Sequence, residues 1–270
     1  MRLGIVQHSL GTGHDPLAAI ARAGELGVDS LALGLGPARD DPALLGRIGE
    51  AAQKTGLMLE TSWGDKFIAN GAAQTVDGFV SFIRTCCKPL GITVIGTASG
   101  SDRWQRESSL AEQLDRMVAA LTPLAQAAAS EGVVLALENH ADYRGYEVAS
   151  IIQRVNSPGL RARLDTGNAY AVIEEPEEAA EALASYTVAT HLKDLYVRPK
   201  QQGLLALVGC AIGEGDVAIQ ACVRQLAEHA PDPANLVLCL EIEPPRGTDL
   251  WPMARQSVAW VREHLVMYLQ

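Results

Sequence analysis

Four acidic or imidazole side chains recur at the ends of apolar segments in the second half of the sequence. Glu138 ends the run "VVLALE", Asp165 ends "LRARLD", and His191 lies near the end of "TVATHL". Glu241 lies in the last such run, "LVLCLEIE". If these segments are strands of one sheet, the side chains meet at one edge, where like charges would exclude one another. A divalent cation removes that conflict, so the pattern predicts a metal site.

The types of the four side chains indicate which metal ions would suit the site. Carboxylate oxygens with one imidazole suit Mn²⁺, Mg²⁺, Co²⁺ or Zn²⁺, and a majority of carboxylates favours Mn²⁺ or Mg²⁺. We therefore expect one divalent ion, with Mn²⁺ preferred. A single carboxylate at a strand end is often only a helix cap or a surface charge, but four at matching positions favour the metal interpretation.

Short apolar segments alternate with longer segments of helical period along the whole chain. The eight predicted strands are residues 2–7, 30–35, 57–62, 93–98, 133–138, 160–165, 187–192 and 236–243. Eight strand–helix units in about 250 residues are typical of a closed (β/α)8 TIM barrel. We expect an α/β fold in which residues 1–270 form a single barrel domain, with an open doubly wound sheet as the alternative. In a barrel, the carboxyl ends of the strands surround one axis and carry the active site.

Two local features complete the predicted architecture. Helices are expected to end in left-handed glycines, and the four candidates are Gly27, Gly56, Gly91 and Gly132. The longest stretch predicted to be irregular is residues 196–215. A connection of that length inside a compact domain is commonly functional.

Five motifs carry a resemblance to a known superfamily. They are "ALENH" (136–140), "LDTGN" (164–168), "HLKD" (191–194), "GEGDV" (213–217) and "LEIE" (240–243). With them the chain resembles the xylose isomerase-like TIM barrel superfamily of sugar (phosphate) isomerases and epimerases. The resemblance implies that Glu138, Asp165, His191 and Glu241 bind one Mn²⁺-like ion. It also implies that Glu138 and Glu241 are catalytic and move a proton off and onto the carbon beside a carbonyl.

One residue departs from the pattern of the superfamily. The epimerases and the DNA repair enzymes of the group usually carry a His three residues after the Asp of strand six, where this chain has Asn168. In the repair enzymes that His helps to hold a multi-zinc cluster. Its replacement argues against a DNA repair function.

The expected reaction is proton abstraction next to a carbonyl, through an enediolate held on a divalent ion. This describes a metal-dependent isomerase or epimerase acting on a sugar or polyol. One alternative is a lyase on the same scaffold, which would dehydrate an inosose-like or keto-acid substrate. Another alternative is a barrel that binds a sugar without turning it over.

The predicted substrate-binding residues are His140, Asn168, Lys193 and Trp63. His140 shares the strand parity of Glu138 and is placed to hydrogen-bond a sugar hydroxyl. Lys193 follows His191 by two residues and is an electrophile or the ion-pair partner of a carboxylate.

Aromatic and basic residues near other strand ends are further candidates. Trp63 and Trp104 follow strands three and four, where they either wall a sugar pocket or pack at the rim. His8 follows strand one. Arg163 is predicted to point into the barrel and to pair with Glu60, since a buried arginine needs a partner.

Composition limits the partners. The 270 residues carry a formal net charge of −10 and no cluster of Lys and Arg, whereas nucleic-acid binding needs basic clusters. The five cysteines lack metal or disulfide spacing, which suits reduced thiols in the cytoplasm. No signal peptide or membrane span is evident. We expect a sugar or polyol as the small-molecule partner, no nucleic acid and no membrane, and a homo-oligomer stays open.

Overall fold

The computed structural model describes residues 1–64, 76–99, 103, 108–200 and 205–270. Trp104 lies outside these residues. Eight strands form one sheet in the order β10-β1-β2-β3-β4-β5-β6-β7, and every pairing between neighbours is parallel. The predicted (β/α)8 TIM barrel is therefore confirmed. The eight barrel strands are β1 (Arg2–Val6), β2 (Ser30–Ala32), β3 (Met58–Ser62), β4 (Val94–Thr97), β5 (Val134–Glu138), β6 (Leu160–Asp165), β7 (Thr187–His191) and β10 (Val237–Leu240).

The barrel closes between β7 and β10, at a short seam. Leu192 and Leu240 form an isolated parallel bridge, and the Leu192 amide donates to the Cys239 carbonyl at 2.7 Å. The Thr190 hydroxyl adds a side-chain link by donating to the Val237 carbonyl at 2.8 Å. The seam therefore lies beside the strand ends that carry His191 and Glu241.

Helices cover the outside of the barrel and bury its apolar face. Their bounds are α1 Pro16–Leu26, α2 Pro42–Thr55, α3 Val76–Phe82, α4 Leu110–Glu131, α5 Gly145–Val155, α6 Pro176–Leu183, α7 Ile219–His229 and α8 Leu250–His264. Acidic or hydroxyl caps start several of them, and Ser109 with Glu112 forms a capping box at α4. All four glycines predicted to be left-handed have positive φ, at 64°, 73°, 68° and 72° in chain order.

The prediction that residues 196–215 are irregular was wrong in part. Leu195–Pro199 (β8) and Leu205–Gly209 (β9) pair as an antiparallel two-stranded sheet beside the barrel mouth. Alternating residues of β9 are exposed, with Leu205 71% and Leu207 40% exposed. The sequence of β9, "LALVG", is an apolar run like those of the barrel strands, but β9 pairs only with β8 and lies outside the barrel sheet.

The interior of the barrel holds a small apolar cluster and one arginine. Ala32, Val237 and Cys239 form that cluster, separate from the large core between strands and helices. Arg163 of β6 also points inward, with a side chain only 3% exposed. Gly96 of β4 makes this possible, because a Cβ at position 96 would overlap the guanidinium group of Arg163.

The cysteines and the helices bear on the predicted class of protein. All five cysteines are buried and free, in line with the predicted absence of a disulfide framework. Among the described residues, no helix combines the length and the apolar character needed to cross a bilayer. A cytoplasmic location stays a prediction.

The close approach of Gly96 to Arg163 leads to a stability prediction. We expect Gly96→Ala to lower the free energy of unfolding by about 1–3 kcal/mol, because the added methyl group forces a packed, charged side chain to move. Gly46→Ala in α2 is the matched control, since a Cβ there meets nothing within 4 Å. That change should raise stability by up to about 1 kcal/mol. Urea unfolding measures both, and equal stabilities of the two variants would contradict the packing argument.

Candidate functional site

The four predicted ligands lie together at the carboxyl ends of β5, β6, β7 and β10, and all are buried. His191 is central: its Nδ1 lies 3.4 Å from Glu138 Oε2 and 3.9 Å from Asp165 Oδ2. It also lies 3.6 Å from Glu241 Oε2. The strand register produces this meeting, because Asp165 pairs directly with His191 across β6 and β7. One oxygen of each carboxylate therefore faces the same imidazole nitrogen.

The other oxygen of Glu138 and of Asp165 is held by the protein. Asn168 Nδ2 donates to Glu138 Oε1 at 3.1 Å. The backbone amides of Gly167 and Asn168 donate to Asp165 Oδ1 at 2.8 Å and 2.9 Å. These bonds fix the orientation of both carboxylates, so their remaining oxygens are aimed at the common point.

Glu241 belongs to two groups of side chains. Its Oε2 faces His191, whereas its Oε1 lies 3.7 Å from Nε2 of His8. His8 and the exposed Glu243 complete this second group at the rim. Glu138, Asp165 and His191 form the first group, and within each group the ligand atoms all lie within 4.8 Å of one another.

The polar atoms at this point fit a divalent ion. Asp165 Oδ2 and His191 Nδ1 are buried and make no hydrogen bond within the described part of the chain, although the ammonium group of Lys193 lies 3.2 Å from Asp165 Oδ2. A buried polar atom without a hydrogen bond costs free energy, and metal coordination would satisfy both atoms. Three carboxylates with one imidazole are also a suitable donor set for Mn²⁺, Mg²⁺ or Zn²⁺. The residues present therefore fit the predicted ion.

Lys193 lies inside the same cluster, with a side chain 7% exposed. Its Nζ is 2.6 Å from Glu241 Oε2, 3.2 Å from Asp165 Oδ2 and 3.0 Å from Glu243 Oε2. It also donates to Asn168 Oδ1 at 3.2 Å. Lys193 therefore forms ion pairs with carboxylates, which is the second of its two predicted roles.

The pKa values reflect crowding of charge in a buried site. Burial raises the pKa of Asp165 to about 7, and the nearby Glu241 and Glu138 carboxylates add to the rise. Burial also acts to raise the pKa of Glu138, but the positive charges of His191 and Arg163 outweigh it and lower that pKa to about 2. The carboxylates therefore compete for the positive charge available, which is the conflict that a divalent ion relieves.

Arg163 does not pair with Glu60 as predicted. Its Nη1 lies 3.7 Å from Glu138 Oε2 and donates to Ser62 Oγ at 3.1 Å. Glu60 accepts instead from the Ser30 hydroxyl at 3.3 Å, and burial raises the pKa of its carboxyl group. Arg163 therefore lies beneath a predicted metal ligand, a contact that strand parity alone did not specify.

A cavity of about 390 Å³ opens above these residues at the mouth of the barrel. Its lining includes Glu138, His191, Lys193 and Glu241, together with the exposed His140.

Trp63 also lines this cavity. Its ring packs 4.9 Å from the Phe82 ring and 5.8 Å from the Phe79 ring, between ring centroids. The side chain therefore borders the mouth but is also part of the rim packing. The size and polar lining of the cavity suit a small polar molecule.

Asp194, the last residue of "HLKD", has a structural role that no motif in the sequence predicts. The carboxylate of Asp194 accepts backbone hydrogen bonds from Gly213, Gly215 and Val217, at 2.8, 2.9 and 3.2 Å. It thereby fixes the "GEGDV" turn, and a Cβ at Gly215 would overlap it. Glu214 is exposed and bonds Gln256 rather than the site.

Comparisons with known proteins identify the family and the fold of the chain. Residues 19–264 match the sequence profile described as the xylose isomerase-like TIM barrel. A D-psicose 3-epimerase solved in the presence of D-fructose superposes with a TM-score of 0.76 at 18% identity, covering 98% of this chain and 99% of that chain. The IOLI protein, solved with a binding zinc atom, superposes with a TM-score of 0.78 at 17% identity, covering 100% and 98%.

A curated relative matches over a shorter stretch. The 3-oxo-isoapionate decarboxylase of Pectobacterium atrosepticum is 29% identical over 139 residues, which are 51% of this chain and 49% of that protein. The chain thus matches about half or less of the length of the curated relatives. The profile match, in contrast, spans nearly the whole barrel, and the superpositions support the same fold. The chain belongs to the xylose isomerase-like TIM barrel family.

Proposed function

We propose that the protein is a metal-dependent sugar or polyol isomerase or epimerase that transfers a proton at the carbon beside a carbonyl. One observation carries the proposal. Three carboxylates and one imidazole each direct one ligand atom toward the same point in a polar cavity. The structural neighbours that act on free ketoses, such as the D-psicose 3-epimerase, support this class of reaction.

In this proposal, Glu138, Asp165, His191 and Glu241 hold the ion, and Mn²⁺ is preferred. When bound, a divalent ion polarises the substrate carbonyl and stabilises negative charge on its oxygen. The orientation of Glu138 comes from Asn168, and that of Asp165 comes from backbone amides. These bonds keep the ligand set in place before any ion or substrate arrives.

Glu138 and Glu241 are the proposed proton-transfer groups. They project from β5 and from the end of β10, with the imidazole of His191 between them. One carboxylate takes the proton and the other returns it. Return to the same carbon from the opposite face inverts its configuration, whereas return to the neighbouring carbon moves the carbonyl group.

The proposed substrate-binding residues are His140, Asn168, Lys193 and Trp63. His140, Lys193 and Trp63 line the cavity. Asn168 joins Glu138 to Lys193 through two hydrogen bonds, and it acts by positioning both groups.

Metal dependence is tested by binding measurements on purified apo-protein. We expect Glu138→Gln to weaken Mn²⁺ binding by at least about tenfold, because a charged ligand atom becomes a neutral amide. Glu60→Gln is the matched control: it is also buried inside the barrel but is absent from the ligand group. Its Mn²⁺ affinity should equal that of the wild type. Equal affinities in wild type and Glu138→Gln would remove Glu138 from the ligand set.

Proton transfer is tested by deuterium wash-in from D₂O into a panel of free ketoses. The Mn²⁺-loaded protein should label the carbon beside the carbonyl of its substrate. Glu241→Gln, assayed at an Mn²⁺ concentration shown to load it fully, should label about 10²–10⁴-fold more slowly. A metal-loaded wild type that binds ketoses without labelling any of them would support the sugar-binding alternative instead.

A second candidate reaction is decarboxylation, which the match to the 3-oxo-isoapionate decarboxylase favours. In a 3-oxo acid, the bond between the carboxylate and carbon 2 breaks, CO₂ leaves, and the electron pair forms an enolate with the 3-oxo group; an acid then protonates carbon 2. We expect this reaction to release CO₂ from a 3-oxo sugar acid, detected by a coupled bicarbonate assay. Labelling of ketoses without CO₂ release would favour the isomerase over the decarboxylase.

A further inference from the structure

Lys193 is a buried cation that is built into the cluster and is not required for holding an ion. Its backbone is locked to the residue after Asp165, since the Lys193 amide donates to Thr166 Oγ1 at 3.0 Å and Thr166 Oγ1 donates to the Lys193 carbonyl at 2.8 Å. Gly167 leaves room for its stem, because a Cβ there would lie 2.8 Å from Lys193 Cγ. The chain is therefore shaped to place an ammonium group beside the predicted ligands.

The charges at the site do not balance once an ion is bound. Glu138, Asp165 and Glu241 carry three negative charges, whereas a divalent ion, Lys193 and Arg163 carry four positive charges. Glu243 lies 3.0 Å from Lys193 Nζ, but its side chain is 53% exposed, so water screens its charge more than the charges of the buried groups. Among the ion, the two buried basic side chains and the three buried carboxylates, one positive charge is in surplus, which favours a substrate with one negative charge.

Metal binding also removes the present partners of the ammonium group. Lys193 Nζ shares Asp165 Oδ2 and Glu241 Oε2 with the predicted ion. When those oxygens bind the ion, the lysine retains Glu243 and the neutral amide of Asn168. Because Glu243 is half exposed, it compensates the buried ammonium group only in part, and the cavity that Lys193 lines is the place from which a ligand can supply a further anion.

We propose that Lys193 binds a carboxylate of the substrate, so that the substrate class is a keto acid of the sugar series rather than an uncharged ketose. This inference rests on the proposed function, because it assumes the ion. Arg163 also lines the cavity, although it is only 2% exposed, and it adds a second buried positive charge at the site. Lys193 is thus the residue that determines specificity, while the ligand set performs the chemistry.

The test compares two ligands that differ only in the group concerned. Hydroxypyruvate carries a carboxylate where dihydroxyacetone carries a hydroxymethyl group, and isothermal titration of the Mn²⁺-loaded protein measures both. We expect wild type to prefer hydroxypyruvate. Lys193→Met should weaken hydroxypyruvate binding by about 10- to 100-fold, the loss expected for a buried charge-assisted hydrogen bond. Its affinity for dihydroxyacetone should stay unchanged.

The control variant is Arg198→Met. Arg198 is an exposed cation on β8 that pairs with Asp216 and is absent from the cavity lining. Its loss should leave the preference for hydroxypyruvate unchanged at equal metal loading. The inference is overturned if Lys193→Met keeps the wild-type preference, or if it weakens both ligands equally.

Failure here is distinguishable from failure of the proposed function. If wild type binds Mn²⁺ and labels uncharged ketoses but shows no preference for hydroxypyruvate, the proposed function stands and the carboxylate inference falls. If wild type fails to bind Mn²⁺, the proposed function falls.

Discussion

Repulsion between carboxylates at the mouth of the barrel is the constraint on which the rest of the site depends. Parallel strands bring Glu138, Asp165 and Glu241 to one buried place, where their charges cannot all persist without compensation. The chain supplies His191 in the middle and Lys193 at the side. One oxygen of each carboxylate is held or faced by a neighbouring polar group. The other oxygen points to the place that the three carboxylates share.

Much of this arrangement could be predicted from the sequence. Apolar runs of strand length predicted the barrel. The carboxylate or imidazole near the end of three of these runs predicted that Glu138, Asp165 and His191 lie at the same height along the barrel axis. This works because side chains alternate across a strand and parallel strands share a direction. Glycines marked the ends of four units in the first half of the chain, so the phase of the repeat there could be read from residue types alone.

Other contacts could not be predicted, because they depend on distances between elements far apart in sequence. Strand parity placed Arg163 inside the barrel but could not choose between Glu60 and Glu138 as its neighbour. The β8–β9 ribbon was missed because an antiparallel pair outside the barrel does not follow the strand–helix repeat, although β9 is itself an apolar run. The role of Asp194 was missed for a different reason: an acid that accepts backbone amides leaves no periodic signal in a single sequence.

Because the seam between β7 and β10 lies beside the site, a ligand bound at the mouth of the barrel also stabilises the closed barrel. Few direct links join these two strands, and the residues that flank the joint are His191 and Glu241. A ligand bound from both sides would hold this joint together and suppress its local opening. Opening of the empty barrel there would, in turn, separate Glu241 from the other three predicted ligands, so closure of the barrel and assembly of the site depend on the same contacts.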